Sequence, residues 1–450
     1  MISRSGVYEE IRLKILLVAA PFVGHTNPVL VAARILKSAG HTTVVYTGTM
    51  FREKVEAAGA KFFPLPADVD FSPENPPKTP EPSTSDDHLS HLLKAVFADS
   101  LIPQYRGLQT VMSKFAPDLI VYEVGFTGML PLLLGPRSAR VPCALLGITM
   151  SFLPREDGAP FGPGLPPATS ESQREQYKAK AAELDAQIWG RLRTFADEQL
   201  SEVGARKLPA PVFESLTLLA DTILQTCAPS FEFPLRETSS RLHFIGALMP
   251  QGVGGVPVEI KEAKAAGRKI VLATQGTIAN RDLGLLIGPT IEALGGREDV
   301  LIVATTGGPP VEQIPVALPA NAIAFQFLNY SELLPLVDVL VALGGYGVVT
   351  QALSFGVPMV LAGTSEDKAE NAARVAWNGA GIALSEDNPT PEQLREAVNE
   401  VLTTPGYRAR AQKLAEEFAR YDATRELPRL LEELEEAEKT SVTQGSIRSN

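Results

Sequence analysis

The segment Gly24-His25-Thr26-Asn27-Pro28 places an imidazole just after a short apolar run, Lys14–Ala20, and at the entrance to an apolar-faced helical stretch. An imidazole titrates near pH 6.5, so it can take a proton from a hydroxyl group at neutral pH. The same residues also suit a histidine that caps a helix or fills a turn. A second segment, Gly344-Gly345-Tyr346-Gly347, follows Asp338–Leu343 and precedes the helical stretch Val348–Ser354. Glycines ahead of a helix N-terminus let an anion approach the backbone N–H groups, and the helix dipole favours negative charge there. The segment reads as an anion site or as a plain tight turn, and it is neither a Walker A loop nor a dinucleotide GxGxxG. Thr274-Gln275-Gly276-Thr277 is a comparable turn, and two such turns on one sheet edge suit a diphosphate. Ser365-Glu366-Asp367-Lys368, followed by Ala369-Glu370-Asn371, offers carboxylates for sugar hydroxyls and a point charge at Lys368. An acidic helix start explains those residues without any ligand.

These candidates need elements that bring them to one edge. Lys14–Ala20, Thr42–Tyr46 and Lys61–Leu65 read as buried strands. The stretches between them read as helices, the first opening at Thr26-Asn27-Pro28 with Val29, Ala32, Ala33 and Leu36 on one face and stopping at Gly40. Asp118–Glu123 and Cys143–Ile148 look like further strands of the same sheet. From Lys269–Thr274 the scheme repeats, with strands at Val300–Thr305, Ala322–Phe327, Asp338–Leu343, Pro358–Gly363 and Gly381–Leu384. Strand–helix alternation of this kind predicts α/β architecture: two doubly wound domains with parallel sheets and right-handed crossovers. The Gly/Pro-rich stretch Phe233–Lys264 has linker composition. Two insertions, Asp68–Asp87 and Phe152–Ser170, have the length of lids, binding loops or mobile segments. Ser170–Val203 reads as a long polar helix able to wall a cleft.

The chain of 450 residues is 45% apolar and 21% charged, the composition of a globular protein with sizeable cores. Its net charge of −11 argues against a broad nucleic-acid surface. Two cysteines, Cys143 and Cys227, are too few for a disulfide framework or a cysteine zinc site. His88 and His91 have no Glu or Cys to complete a metal set, and His41 and His243 read as strand-edge residues. Ile15–Ala20 is too short for a signal-peptide core or a membrane span, so a cytoplasmic protein is expected. The first ten residues are expected to be disordered and the tail after about Thr440 to fray. The absence of a Gly-x-Ser-x-Gly elbow argues against an α/β-hydrolase.

In order along the chain, KILLVAAPFVGHTNPVL, VLATQGTIAN, VLIVATTGGPP and LGGYGVVTQALSFGVPMVLAGTSEDKAENAARVAWNGAGIAL resemble family 1 glycosyltransferases of the GT-B fold. The likeness is closest to the microbial branch acting on lipophilic small molecules, and it runs from about Lys14 to Arg420. The resemblance implies two Rossmann-like domains whose parallel sheets face a central cleft. They comprise an acceptor-binding domain over 12–235, a linker over 236–264 and a nucleotide-sugar domain over 265–440, whose last helix can pack back on the first domain. It implies an inverting transferase that moves a sugar from a nucleotide diphosphate to a hydroxyl of a flavonoid, phenol or macrolide. UDP-glucose is the first expectation for the donor and a dTDP-deoxysugar the second. No cofactor, obligatory metal, nucleic acid or membrane span is implied, and a monomer or a homodimer is expected.

Position by position, the resemblance makes His25 the catalytic base and Glu123 its carboxylate partner, where most members have Asp; Asp118 is the alternative. Phe327 falls where a flat residue covers the base, and Gln351 where many members use Glu on the ribose. Asp367 and Lys368 occupy the family's Asp-Gln pair on the donor sugar, and Asn371 lies where it can reach the phosphates. Gly276, Thr277, Gly344, Gly345 and Gly347 supply donors to the diphosphate. Leu343 and Val348 replace the family's His and Ser/Thr, a loss of roughly 1–3 kcal/mol each where nothing compensates. A non-catalytic nucleotide-sugar-binding accessory protein and a GT-B epimerase or hydrolase are the alternative readings.

Overall fold

The computed structural model describes residues 12–79, 85–236, 239–250, 252, 254–277 and 280–448. The first ten residues, expected to be disordered, lie outside the described residues, as do 80–84 of the first insertion. Two compact units share the chain. The first takes the chain up to Leu146, then Leu192–Ile223, then the chain from Thr424 onward; the second takes Gly147–Arg191 and Leu224–Ala423.

The strands are β1 Lys14–Val18, β2 Thr42–Thr47, β3 Lys61–Pro64, β4 Leu119–Tyr122, β5 Cys143–Gly147, β6 Thr222–Gln225 and β7 Leu242–Phe244. They form one sheet in the order β3-β2-β1-β4-β5-β6-β7. A second sheet has the order β10-β9-β8-β11-β12-β13. Its strands are β8 Lys269–Thr274, β9 Val300–Thr305, β10 Ala322–Phe325, β11 Val339–Ala342, β12 Met359–Leu361 and β13 Gly381–Ala383. Strands β1 to β5 pair in parallel, as in β1 with β2 and β4, and so do β8 to β13, as in β8 with β9 and β11. Both sheets therefore reverse their winding next to their first strand, at β1/β4 and at β8/β11. Ligands of open α/β sheets bind at the carboxyl ends of the strands at such a switch point.

The apolar runs explain the layers. In the second sheet Ile270, Leu272, Leu301, Val303, Leu340 and Ala342 enter one core, while Val271, Val300, Ile302, Ala304, Val339 and Val341 enter the other. A period of two across strands buried on both faces gives continuous apolar sequence with two destinations. Each fully buried aliphatic side chain contributes roughly 1.5–3 kcal/mol.

Several boundaries differ from the sequence expectation. The first helix is Val23–Ser38, with Pro28 inside it rather than in its opening turn. Thr26 is not a cap: it is buried, and its hydroxyl donates to the Ala20 carbonyl at 3.0 Å and meets Thr47 Oγ1 at 3.1 Å. The chain thus turns into the helix immediately after the strand, which draws His25 into the first turn. Strand β6 falls outside the strands expected from the sequence, and β7 and helix Val258–Ala265 fall in or at the end of the stretch of linker composition. Helix Ala423–Arg448 runs through the tail expected to fray. The long polar helix is present as Glu171–Leu184 and Gly190–Glu202, joined by a π-turn at Asp185–Trp189.

Candidate active site

In the first unit the switch point falls between β1 and β4, and the residues just beyond those strands meet. His25 Nδ1–H donates to Glu123 Oε2 at 2.7 Å. Glu123 is fully buried and the imidazole is 25% exposed. The other carboxylate oxygen, Oε1, accepts the Ala20 N–H at 2.8 Å, and Oε2 also accepts the Gly125 N–H at 2.6 Å. With a carboxylate at Nδ1, the proton of the neutral ring sits there and Nε2 is the basic nitrogen. Phe22 packs edge-on against the ring at 5.8 Å. The arrangement can orient a base and stabilise the imidazolium that forms when it accepts a proton. Asp118 plays no part, because it sits at the opposite end of β4, where Oδ2 accepts the Lys14 N–H at 2.7 Å.

In the second unit three loops leave the carboxyl ends of adjacent strands. Gly276 and Thr277 follow β8, Gly344 to Gly347 follow β11, and Gly363 to Lys368 follow β12. Gly276 and Gly344 hold φ of +73° and +98°, the left-handed region that glycine tolerates. Gly276 N–H donates to Thr274 Oγ1 at 3.3 Å, and Thr277 is exposed. Gly345 stands at the N-cap of helix Tyr346–Ser354 with no side chain bonded to that end. A methyl group added to Gly345 would meet nothing within 4 Å, so the space before the helix N-terminus is open. Leu343 is buried in the core with Val341 and Val360, and Val348 packs against the opposite core, so both are packing residues here.

Around these turns, Phe327 is 66% exposed, a large apolar side chain open to solvent. Gln351 Nε2 donates to the Leu248 carbonyl at 3.3 Å. Asn371 is fully buried, and its amide donates to the Gly344 carbonyl at 2.9 Å. It therefore pins the glycine turn, while its Oδ1 has no hydrogen-bond partner. Lys368 is buried, with Nζ donating to Glu366 and, at 3.3 Å, to Ser365 Oγ. Asp367 is half-buried and accepts the Thr149 hydroxyl at 3.1 Å. Burial raises its carboxyl above the usual range, and the neighbouring Glu366 charge adds to that. No cluster of metal-ligating side chains and no membrane-spanning helix occurs among the described residues.

Sequence reasoning passed over Thr149, Gln225 and Gly125. Gln225 Nε2 donates to the Thr149 carbonyl at 2.6 Å and to Tyr346 Oη at 2.8 Å, tying the glycine turn to Thr149 within the second unit. Nothing local in the sequence marks these pairings. For Gly125, the spacing Glu123-x-Gly125 was the available sign.

The family described as "Erythromycin biosynthesis protein CIII-like, C-terminal domain" matches residues 294–434. The chain is 34% identical over 432 residues to 4'-demethylrebeccamycin synthase of Lentzea aerocolonigenes, covering 94% of this chain and 99% of that one. It is 32% identical over 446 residues to UDP-glycosyltransferase 2 of Phaeomoniella chlamydospora, covering 93% and 95%. Among solved structures, the calicheamicin glycosyltransferase CalG4 superposes with a TM-score of 0.71 at 21% identity, over 94% of this chain and 98% of that one, a likeness of fold.

Proposed function

The chain belongs to the family 1 glycosyltransferases of the GT-B fold, in the microbial natural-product branch, and from that premise we propose an inverting transfer from UDP-glucose to a lipophilic phenol, flavonoid or macrolide hydroxyl. The enzyme is a nucleotide-sugar-dependent O-glycosyltransferase. The observation that carries the proposed mechanism is the 2.7 Å contact between His25 Nδ1 and Glu123 Oε2.

In this mechanism His25 Nε2 removes the acceptor proton as the oxygen attacks the anomeric carbon. Glu123 holds the ring and stabilises its cation. The C–O bond to the nucleotide diphosphate breaks on the opposite face, which inverts the anomeric centre. The negative charge of the departing diphosphate is met by backbone N–H groups at the glycine turn and the helix dipole behind it. Phe327 stacks on the base, Gln351 takes the ribose, and Asp367 accepts from sugar hydroxyls. Phenols react faster than alcohols, because a hydroxyl of pKa about 10 gives up its proton more readily. No step calls on a metal. UDP is favoured over dTDP because a relative is named as a UDP-glycosyltransferase.

The test is incubation with several nucleotide sugars and a mixed phenol panel, read by mass spectrometry, for the natural chain and His25→Ala. Glycoside formation that falls at least ~10²-fold in the variant, with donor binding kept, supports the mechanism. Unchanged turnover removes His25 from it. Donor binding without any glycoside would favour a nucleotide-sugar-binding accessory protein, and free sugar or an isomerised donor would favour a hydrolase or epimerase.

A further inference from the structure

Helix Lys368–Trp377 presents Glu370 and Arg374 one turn apart, with Asp367 just before its first residue. The spacing i, i+3, i+7 puts all three on one face. Arg374 and Glu370 are 3% and 2% exposed, and Glu232, which meets the same guanidinium, is 3% exposed. Each carboxylate divides its work in the same way. Glu370 Oε2 accepts from Arg374 Nη1 at 2.8 Å, while Oε1 accepts the N–H groups of Gly162 and Gly164 at 3.0 and 3.1 Å. Glu232 Oε2 accepts from Arg374 Nη2 and Nε at 3.2 and 3.3 Å, while Oε1 accepts the Ser151 N–H at 2.9 Å.

The segment from Thr149 to Gly164 is thus fastened to this helix along its length. A Cβ at Gly164 would lie 2.4 Å from the Ala369 carbonyl oxygen, so the backbone itself rests on the helix. At the other end, the Thr149 hydroxyl donates to Asp367. Phe233 meets two guanidinium groups, with Arg374 at 4.2 Å and Arg155 at 4.4 Å from its ring centroid. Arg155 is paired in turn with Asp157 and donates to the Leu165 carbonyl at 2.6 Å.

Burying one cation with two carboxylates is a poor route to stability, since desolvation offsets much of the attraction. An apolar core would serve packing as well, but it would leave three backbone N–H groups of the segment without acceptors. We propose that Arg374 is a positioning residue: through Glu370 and Glu232 it fixes the Thr149–Gly164 segment, and through Thr149 that segment sets where Asp367 presents its carboxylate to the donor sugar. The inference rests on Asp367 being the donor-sugar contact of the proposed transferase. The sequence distance explains why it was not legible: Arg374 lies 142 residues from Glu232.

Glu370→Ala removes the acceptor of two N–H groups, and Glu370→Gln keeps an acceptor oxygen. Thr149→Val cuts the last link and leaves the Arg374–Glu370–Glu232 ion pairs in place, and so serves if Glu370→Ala fails to fold. Amide exchange over residues 151–164 and calorimetric binding of UDP and of UDP-glucose are measured on the full chain. Exchange in Glu370→Ala is expected to rise, and UDP-glucose binding to weaken about tenfold in both Glu370→Ala and Thr149→Val, the scale of one hydrogen bond to a charged group. UDP binding, which lacks the sugar, should change less than about twofold, and Glu370→Gln, which keeps one acceptor oxygen but sets its NH2 against Arg374 or the glycine N–H groups, should recover only part of the loss. Equal weakening of UDP and UDP-glucose, or no weakening of either, overturns the inference. If the natural chain forms no glycoside, the transferase reading fails, while the difference between UDP and UDP-glucose still decides this one.

Discussion

Glu123 Oε2 lies 2.7 Å from His25 Nδ1, and the two residues are 98 positions apart in the chain. Adjacent parallel strands bring them together: β1 and β4 pair from Ile15 with Leu119 to Val18 with Tyr122, and each strand delivers one partner just beyond its carboxyl end. Two backbone N–H groups hold the carboxylate, so the imidazole is oriented by a group that is itself fixed.

Gly125 makes room for the pair. A Cβ there would lie 2.5 Å from both Cε1 and Nδ1 of His25 and 3.1 Å from Glu123 Oε2. Gly125→Ala should therefore push the ring out of register and lower kcat by up to ~10²-fold, the cost of misplacing a catalytic group by about 1 Å. Steady-state kinetics beside UDP calorimetry check this. The expected result is a fall in kcat with UDP affinity unchanged.

Gly345 offers the converse case. Its φ of −60° suits any residue, and a methyl group meets no atom within 4 Å. Gly345→Ala should leave Tm within about 2 °C of the natural chain, as for a surface change. UDP affinity should drop roughly tenfold, because the methyl group stands where the diphosphate approaches the helix N-terminus. Thermal unfolding with and without UDP separates the two effects.

Phe327 is exposed enough for its removal to spare the fold. Phe327→Ala should weaken UDP binding by ~1–3 kcal/mol, roughly 5- to 150-fold, the range for a lost base–aromatic stack. Phe327→Trp should restore it. Equal affinity of the alanine variant would take the base away from this residue.

His41 links stability to pH. Its Nδ1 accepts the Leu13 N–H at 3.2 Å, so that nitrogen carries no proton in the fold, and burial lowers the imidazole below its ordinary value. Nε2 faces Glu432, whose carboxyl is raised by burial and by nearby Glu436 and Glu433. Above about pH 6.5 both folded and unfolded chains leave the ring neutral and the stabilisation is complete. As pH falls below that value the unfolded chain binds the proton first, and stability drops by at most ~1.4 kcal/mol per pH unit until the folded ring protonates too. Urea melts of the natural chain and of His41→Gln between pH 5 and pH 7.5 should differ in slope, with the variant flatter.

Much of the architecture was legible because it is local. Lys269–Thr274 and Val300–Thr305 are strands with the limits their apolar runs gave, and His25, Gly276 and Gly345 fall beyond strand ends as expected. The helix starts at Val23 rather than at Thr26-Asn27-Pro28, and Thr26 spends its hydroxyl on the Ala20 carbonyl instead of capping. Asn371, expected near the phosphates, donates its amide to the Gly344 carbonyl, a pairing that depends on how close two loops stand. Lys368 carries a charge where a neutral side chain was the pattern, and Glu366 pairs with that charge.

The sequence by itself determined the strands β1 to β5 and β8 to β13, the glycine turns and the residue types offered at their ends, since burial pattern and backbone freedom are properties of a few consecutive residues. It did not determine that Glu123 rather than Asp118 would meet His25, nor that Thr149, Gly162 and Gly164 would be held by a helix two hundred residues later. Those pairings follow from strand order and from close approach of backbones. Only the folded chain sets them, because contacts between distant segments depend on which strands become neighbours, and no local period encodes that.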